Sequence, residues 1–78
     1  MLITIQKSGL NKKCKSIKEL KEVLADLYTN MSVSLKYKDK SGAQCLDLVD
    51  VTEHGSVRHS YDDQCPYDFN ELERTIRR

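Results

Sequence analysis

The sequence lacks the features that announce a metal, a cofactor or a membrane. Cys14, Cys45 and Cys65, with His54 and His59, are its only soft ligands, and none of them forms a Cys-x-x-Cys pair of the kind zinc sites show. A site gathered from Cys45, His59 and Cys65 has no supporting spacing, and the carboxylates are not spaced as in a calcium loop. Three is an odd number of cysteines, so no disulfide framework is expected and the thiols should be reduced. No run approaches the ~18 apolar residues of a membrane span, and Met1-Leu2-Ile3-Thr4-Ile5 is too short for a secretion signal. Tryptophan is absent, and Tyr37, the only aromatic residue with flanking lysines (Lys36 and Lys38), falls in the core by alternation, which leaves little for the stacking platforms of single-strand nucleic-acid binders. Cys45 has Lys36 as a candidate neighbour to activate it, but nothing marks an oxyanion site or a general base. The expectation is a soluble, cytoplasmic protein that is not an enzyme and carries no cofactor or metal.

Charge is present in quantity, but segregated. All nine lysines lie between Lys7 and Lys40, against Glu19, Glu22, Asp26 and Asp39, whereas residues 43–78 hold the four arginines and eight carboxylates. The formal net charge of +1 therefore conceals a basic half and an acidic half. Such a charge-polarised surface steers and orients partners.

At 78 residues the chain makes one small domain, residues 1–78, with room for a single core and little for a deep pocket. Leu2–Gln6 is rich in β-branched residues and reads as a strand, and residues 7–15 as a basic loop. Ser16 and Glu19 form a capping box, with Glu19 reaching back to the Ser16 N–H. Behind it Ile17, Leu20, Val23, Leu24 and Leu27 recur at helical spacing, which predicts a helix over 16–29 stopped at Asn30.

From Met31 the period becomes two, with Val33, Leu35 and Tyr37 alternating against polar residues. A four-residue turn, Asp39–Gly42, would set Leu35 opposite Leu46 and Val33 opposite Leu48. Val49 and Val51 then fall out of phase, so either a bulge near Leu48-Val49 resets it, the favoured reading, or the strand is covered on both sides; Cys45 takes the solvent-facing or lightly covered side beside Lys36. A fourth strand covers 56–61, with His59 half-buried and His54 in an exposed turn; a polar connection leads to Pro66. Asp68 then caps a second helix whose apolar stripe is Phe69, Leu72 and Ile76, with Arg74, Arg77 and Arg78 near its end. The order β-α-β-β-β-α implies an α+β fold: one antiparallel sheet carrying two helices.

Two surfaces are candidates for binding. Lys7, Lys12, Lys13, Lys15 and Lys18 surround the start of the first helix, where cations oppose the helix dipole and an anion would be welcome. Asp62, Asp63, Asp68 and Glu71 form an acidic patch that suits a lysine- or arginine-rich partner. The reading that fits best is a small protein-interaction module, an inhibitor or modulator docking on a larger protein or complex. The alternative is a nucleic-acid-binding regulator contacting phosphates through the Lys-rich loop 7–15. Head-to-tail self-association of the basic and acidic surfaces is a further possibility, and no membrane partner is expected. In size and element order the chain is similar to the small inhibitory proteins of phages and mobile elements, including anti-CRISPR proteins. That likeness implies inhibition of a host defence complex and carries no residue with it.

Overall fold

The computed structural model describes residues 1–76, the side chain of Asp63 excepted. Its elements are β1 (Ile3–Gln6), β2 (Lys12–Cys14), α1 (Ile17–Leu27), β3 (Met31–Lys38), β4 (Gln44–Val51), β5 (Val57–His59), β6 (Asp62–Pro66) and α2 (Phe69–Ile76). The six strands form one antiparallel sheet in the order β2-β1-β3-β4-β5-β6. The α+β fold is therefore as the sequence implies, with two strands more than it announces.

One face of the sheet is built by strict alternation. Ile3 and Ile5 of β1, Val33, Leu35 and Tyr37 of β3, and Val49 and Val51 of β4 join Leu20 and Leu24 of α1 and Leu72 of α2 in a single buried cluster. Both helices thus cover the same face, and the opposite face carries none. Leu20, Leu24 and Leu35 are fully buried, each contributing roughly 1.5–3 kcal/mol of apolar transfer. Tyr28, at the end of α1, is also fully buried and its hydroxyl donates to the Leu10 carbonyl at 2.9 Å.

The start of α1 follows its sequence signal with one exchange of partner. Ser16 Oγ accepts the Glu19 N–H at 3.1 Å, while the Glu19 carboxylate accepts from the Lys15 N–H at 2.7 Å and not from that of Ser16. Asn30 takes the left-handed conformation, φ 62°, that turns the chain into β3. Asp68 caps α2 as expected, accepting the Glu71 N–H at 3.0 Å.

Several expectations are corrected. The basic stretch 7–15 is not all loop, because Lys12–Cys14 pairs with Ile3–Ile5 and buries Cys14 completely. The connection before Pro66 is likewise the edge strand β6, and β5 ends at His59 instead of running to Tyr61. The turn after β3 has five residues, not four. Asp39 Oδ1 accepts from the Ser41 N–H (2.9 Å), the Ser41 hydroxyl (2.6 Å) and the Ala43 N–H (3.0 Å), and the Asp39 N–H bonds the Ala43 carbonyl.

That extra residue moves the whole register. Lys38 faces Gln44, Leu35 faces Asp47 and Val33 faces Val49, in an unbroken ladder without the expected bulge. A one-residue slip sends every side chain to the opposite face. Val49 and Val51 therefore enter the core, and Leu46 and Leu48 stand on the helix-free face, each 56% exposed. Cys45 lies on the core side, half-buried opposite Tyr37, with Sγ 3.6 Å from the Ala43 carbonyl oxygen.

Candidate functional site

The helix-free face is where the register shift has its consequences. Adjacent strands place Lys13, Thr4, Lys36 and Leu46 in one cross-strand row. Gln6, Ser34 and Leu48 form the next, and Ser32, Asp50 and Arg58 the one after. Lys13, Lys36 and Lys38 line, with Met1, Leu2 and Asp39, a groove of about 620 Å³ that reaches Ile76 of α2 at the end of the sheet. No carboxylate among the described residues pairs with any of these lysines; the one ion pair found joins exposed His54 and Glu53 at 3.3 Å. Asp50, the face's own acid, accepts from Ser32 Oγ at 2.6 Å. The result is a basic surface with two bare leucines beside it, and Tyr61, 81% exposed, adjoins Leu46 and Leu48 around a hollow of about 410 Å³.

The lysines singled out from the sequence are distributed by β2 rather than gathered. Lys13 belongs to the helix-free face, while Lys12 alternates to the other side, near Cys14. Burial and Glu19 push the Cys14 thiol up, and only Lys12 opposes them. Lys15 and Lys18 are exposed around the start of α1, and Lys7, directly after β1, is half-buried. Since Glu19 already supplies negative charge there and accepts a backbone N–H, the cap is complete without a bound anion. Lys36, Lys38, Leu46 and Leu48 were missed as site residues. The alternation of Lys36 and Lys38 along β3 was the available signal; the leucines were hidden by the assumed turn length.

The acidic candidates also divide. Asp68 and Glu71 are exposed at the start of α2, and Asp62 accepts the Gln64 N–H at 3.0 Å. Asp63 belongs to β6, and its side chain lies outside the described residues, as do Arg77 and Arg78. Asp68 and Glu71 join Asp47, His59, Tyr37, Tyr67, Leu72 and Thr75 around a pocket of about 200 Å³. Within it the hydroxyls of Tyr37 and Tyr67 both donate to Asp47 Oδ2, at 2.9 and 2.6 Å. His59 is half-buried, as expected, but through ring contacts: 5.2 Å to Tyr67 and 4.9 Å to Tyr61.

Burial, then the Asp47 hydrogen bond and charge, push both tyrosine hydroxyls far above their ordinary value near 10. They remain protonated donors, unsuited to proton abstraction near neutrality, and the pocket is smaller than the roughly 300 Å³ of common ligand sites. Burial also raises Tyr28. A raised folded pKa means that these hydroxyls favour the folded state fully below about pH 10, and that this contribution fades as pH climbs through the folded pKa values. Three of the four tyrosines should therefore resist ionisation at pH 10, and alkaline unfolding should release them together. Ultraviolet absorbance recorded alongside circular dichroism checks this; ionisation of all four before any loss of structure would contradict it.

No cluster of His, Cys, Asp and Glu among the described residues is placed to hold a metal, and all three thiols are free. No helix among them is long and apolar enough to cross a membrane. The chain matches no family model, no curated protein and no solved structure.

Proposed function

We propose that this chain is a non-enzymatic interaction module that docks through its helix-free sheet face on a larger protein complex and inhibits or modulates it. The observation that carries the reading is the combination of Lys13, Lys36 and Lys38, which form no ion pair with another described residue, with the exposed leucines Leu46 and Leu48 on one uncovered sheet face. Protein interfaces pair an apolar centre with a polar rim. A partner surface that presents carboxylates around an apolar centre matches this arrangement in both respects. Nucleic acid fits less well, because Leu46 and Leu48 give phosphates nothing and the lysine rows contain no aromatic side chain on which a base could stack. Three free thiols suit the reducing cytoplasm, where we place the protein.

The test is a pull-down with the full chain from lysate of its source cells, with and without nuclease, comparing the wild type with Lys36→Glu/Lys38→Glu. A stoichiometric protein that survives nuclease and is lost with the charge-reversed variant is the expected result, while Lys12→Glu, on the other side of β2, should retain it. Retention of every captured protein by the double variant, or capture of nuclease-sensitive nucleic acid alone, would overturn the reading.

A further inference from the structure

The outer edges of the sheet are guarded. On one side β2 carries Lys12 and Lys13, and on the other β6 carries Asp62 and ends in Pro66. Charges and proline on edge strands discourage addition of a further strand. Inside the sheet, however, there is a third edge. Strand β4 runs from Gln44 to Val51, but β5 pairs with it only over Val49–Val51 before the chain turns away to β6. Among the described residues, the first half of β4 therefore has β3 on one side and no strand on the other.

The direction of its backbone groups follows from the ladder. The Asp39 N–H bonds the Ala43 carbonyl, which makes pairs 37:45, 35:47 and 33:49 the mutually bonded ones between β3 and β4. Gln44, Leu46 and Leu48 thus direct their N–H and C=O groups away from β3. The Ser60 N–H confirms this where the chain still reaches, donating to the Leu48 carbonyl at 3.1 Å. Gln44 and Leu46 have no strand partner on that side among the described residues.

What flanks this notch differs on the two faces of the sheet. Toward the helix-free face lie Leu46, Leu48 and Tyr61 around the 410 Å³ hollow. Toward the helices lies the 200 Å³ pocket with Asp47, Asp68 and Glu71 on its wall, large enough for one side chain. An extended segment laid along β4 would alternate between these two surroundings with a period of two.

We propose that the open half of β4 is a strand-addition site that receives an extended segment of the partner protein. The segment's outward residues are apolar and pack on Leu46, Leu48 and Tyr61, and an inward lysine or arginine enters the carboxylate-lined pocket. Main-chain hydrogen bonds to Leu46 provide affinity and the alternating side chains provide selectivity. A second copy of the chain fits poorly, because antiparallel pairing centred on Leu46 would bring its own 39–43 turn to where β5 stands. The inference rests on the docking function proposed above and names one element of that contact.

The probe is a random-peptide display library selected on the full chain, with binding then measured for wild type, Leu46→Pro and Leu46→Lys/Leu48→Lys. Proline at position 46 deletes only the N–H that faces the notch and leaves the β3 ladder intact, as edge strands tolerate. The double lysine variant keeps every backbone group should the proline variant fail to fold. Selected peptides should alternate apolar and basic residues, lose about tenfold or more in affinity to either variant, and slow the exchange of the Leu46 amide. In the free chain that amide should exchange quickly while those of Cys45 and Asp47 are protected. No peptide preferring the wild type, or binding without protection of Leu46, would overturn the site, as would a dimer of the chain that Leu46→Pro dissolves. A pull-down partner lost with Lys36→Glu/Lys38→Glu but kept by Leu46→Pro would leave the docking function standing and remove only the strand-addition site.

Discussion

Replacing Asp47 by alanine should lower stability by about 2–4 kcal/mol, because it strands two hydrogen-bond donors at once. Tyr37 and Tyr67 are 8% and 7% exposed, and both hydroxyls depend on the same Asp47 Oδ2. Neither hydroxyl has another acceptor among the hydrogen bonds of the described residues, so the loss is one of desolvated groups left unmatched rather than of ordinary surface contacts. A chain of this length commands roughly 4–12 kcal/mol in total. The melting temperature should drop on the order of 10–20 °C. Asp47→Asn, which keeps one acceptor oxygen, should cost less, and Tyr37→Phe/Tyr67→Phe in the alanine background should restore part of the loss. Thermal melts of the four proteins decide it; a melting temperature within a few degrees of wild type for Asp47→Ala would show that the carboxylate holds nothing together.

Gly55→Val should be of similar severity for a different reason. Gly55 closes the turn between β4 and β5 at φ +84°, held by its N–H to the Thr52 carbonyl at 3.0 Å. A Cβ there would lie 3.0 Å from the Ala25 Cβ and 3.4 Å from the Ala25 Cα, against α1. A β-branched residue adds left-handed backbone strain of roughly 1–2 kcal/mol to overpacking of about 1–3 kcal/mol. Gly42 provides the internal control, since its φ is +89° but nothing lies within 4 Å of the added Cβ. Denaturant melts should therefore rank Gly55→Val well below Gly42→Val. Equal losses would mean that the turn can move off α1 at no cost.

The elements that local chemistry dictates were legible from the residues. Ser16 and Glu19 mark the start of α1, Asp68 the start of α2, and the alternation through Val33, Leu35 and Tyr37 marks β3, while α1 ends at Leu27 under a Tyr28 cap, short of the expected stop at Asn30, whose left-handed turn instead leads into β3. What was not legible depended on partners distant in sequence. Lys12–Cys14 becomes a strand because Ile3–Ile5 lies beside it, and no property of Lys-Lys-Cys alone favours that. Asp39 decides the register. Its carboxylate gathers three donors and lengthens the turn by one residue, which exchanged Leu46 and Leu48 for Asp47 in the core-facing set. Alternation with a four-residue turn places Leu46 and Leu48 in the interior and so conceals the helix-free face.

The strand order also sets the route by which the chain finds its fold. Strands β3 to β6 are each paired to the next in sequence, so a succession of hairpins can assemble them by short searches. The seam between β1 and β3 is of another kind, joining Thr4 to Lys36 only after β2 and the whole of α1 have been looped out. Closing that loop spends chain entropy before any contact repays it. Substitutions at Ile3 or Ile5 should therefore act mainly on how long the folded chain lasts if the seam closes late, and on how fast it forms if the seam is the nucleus.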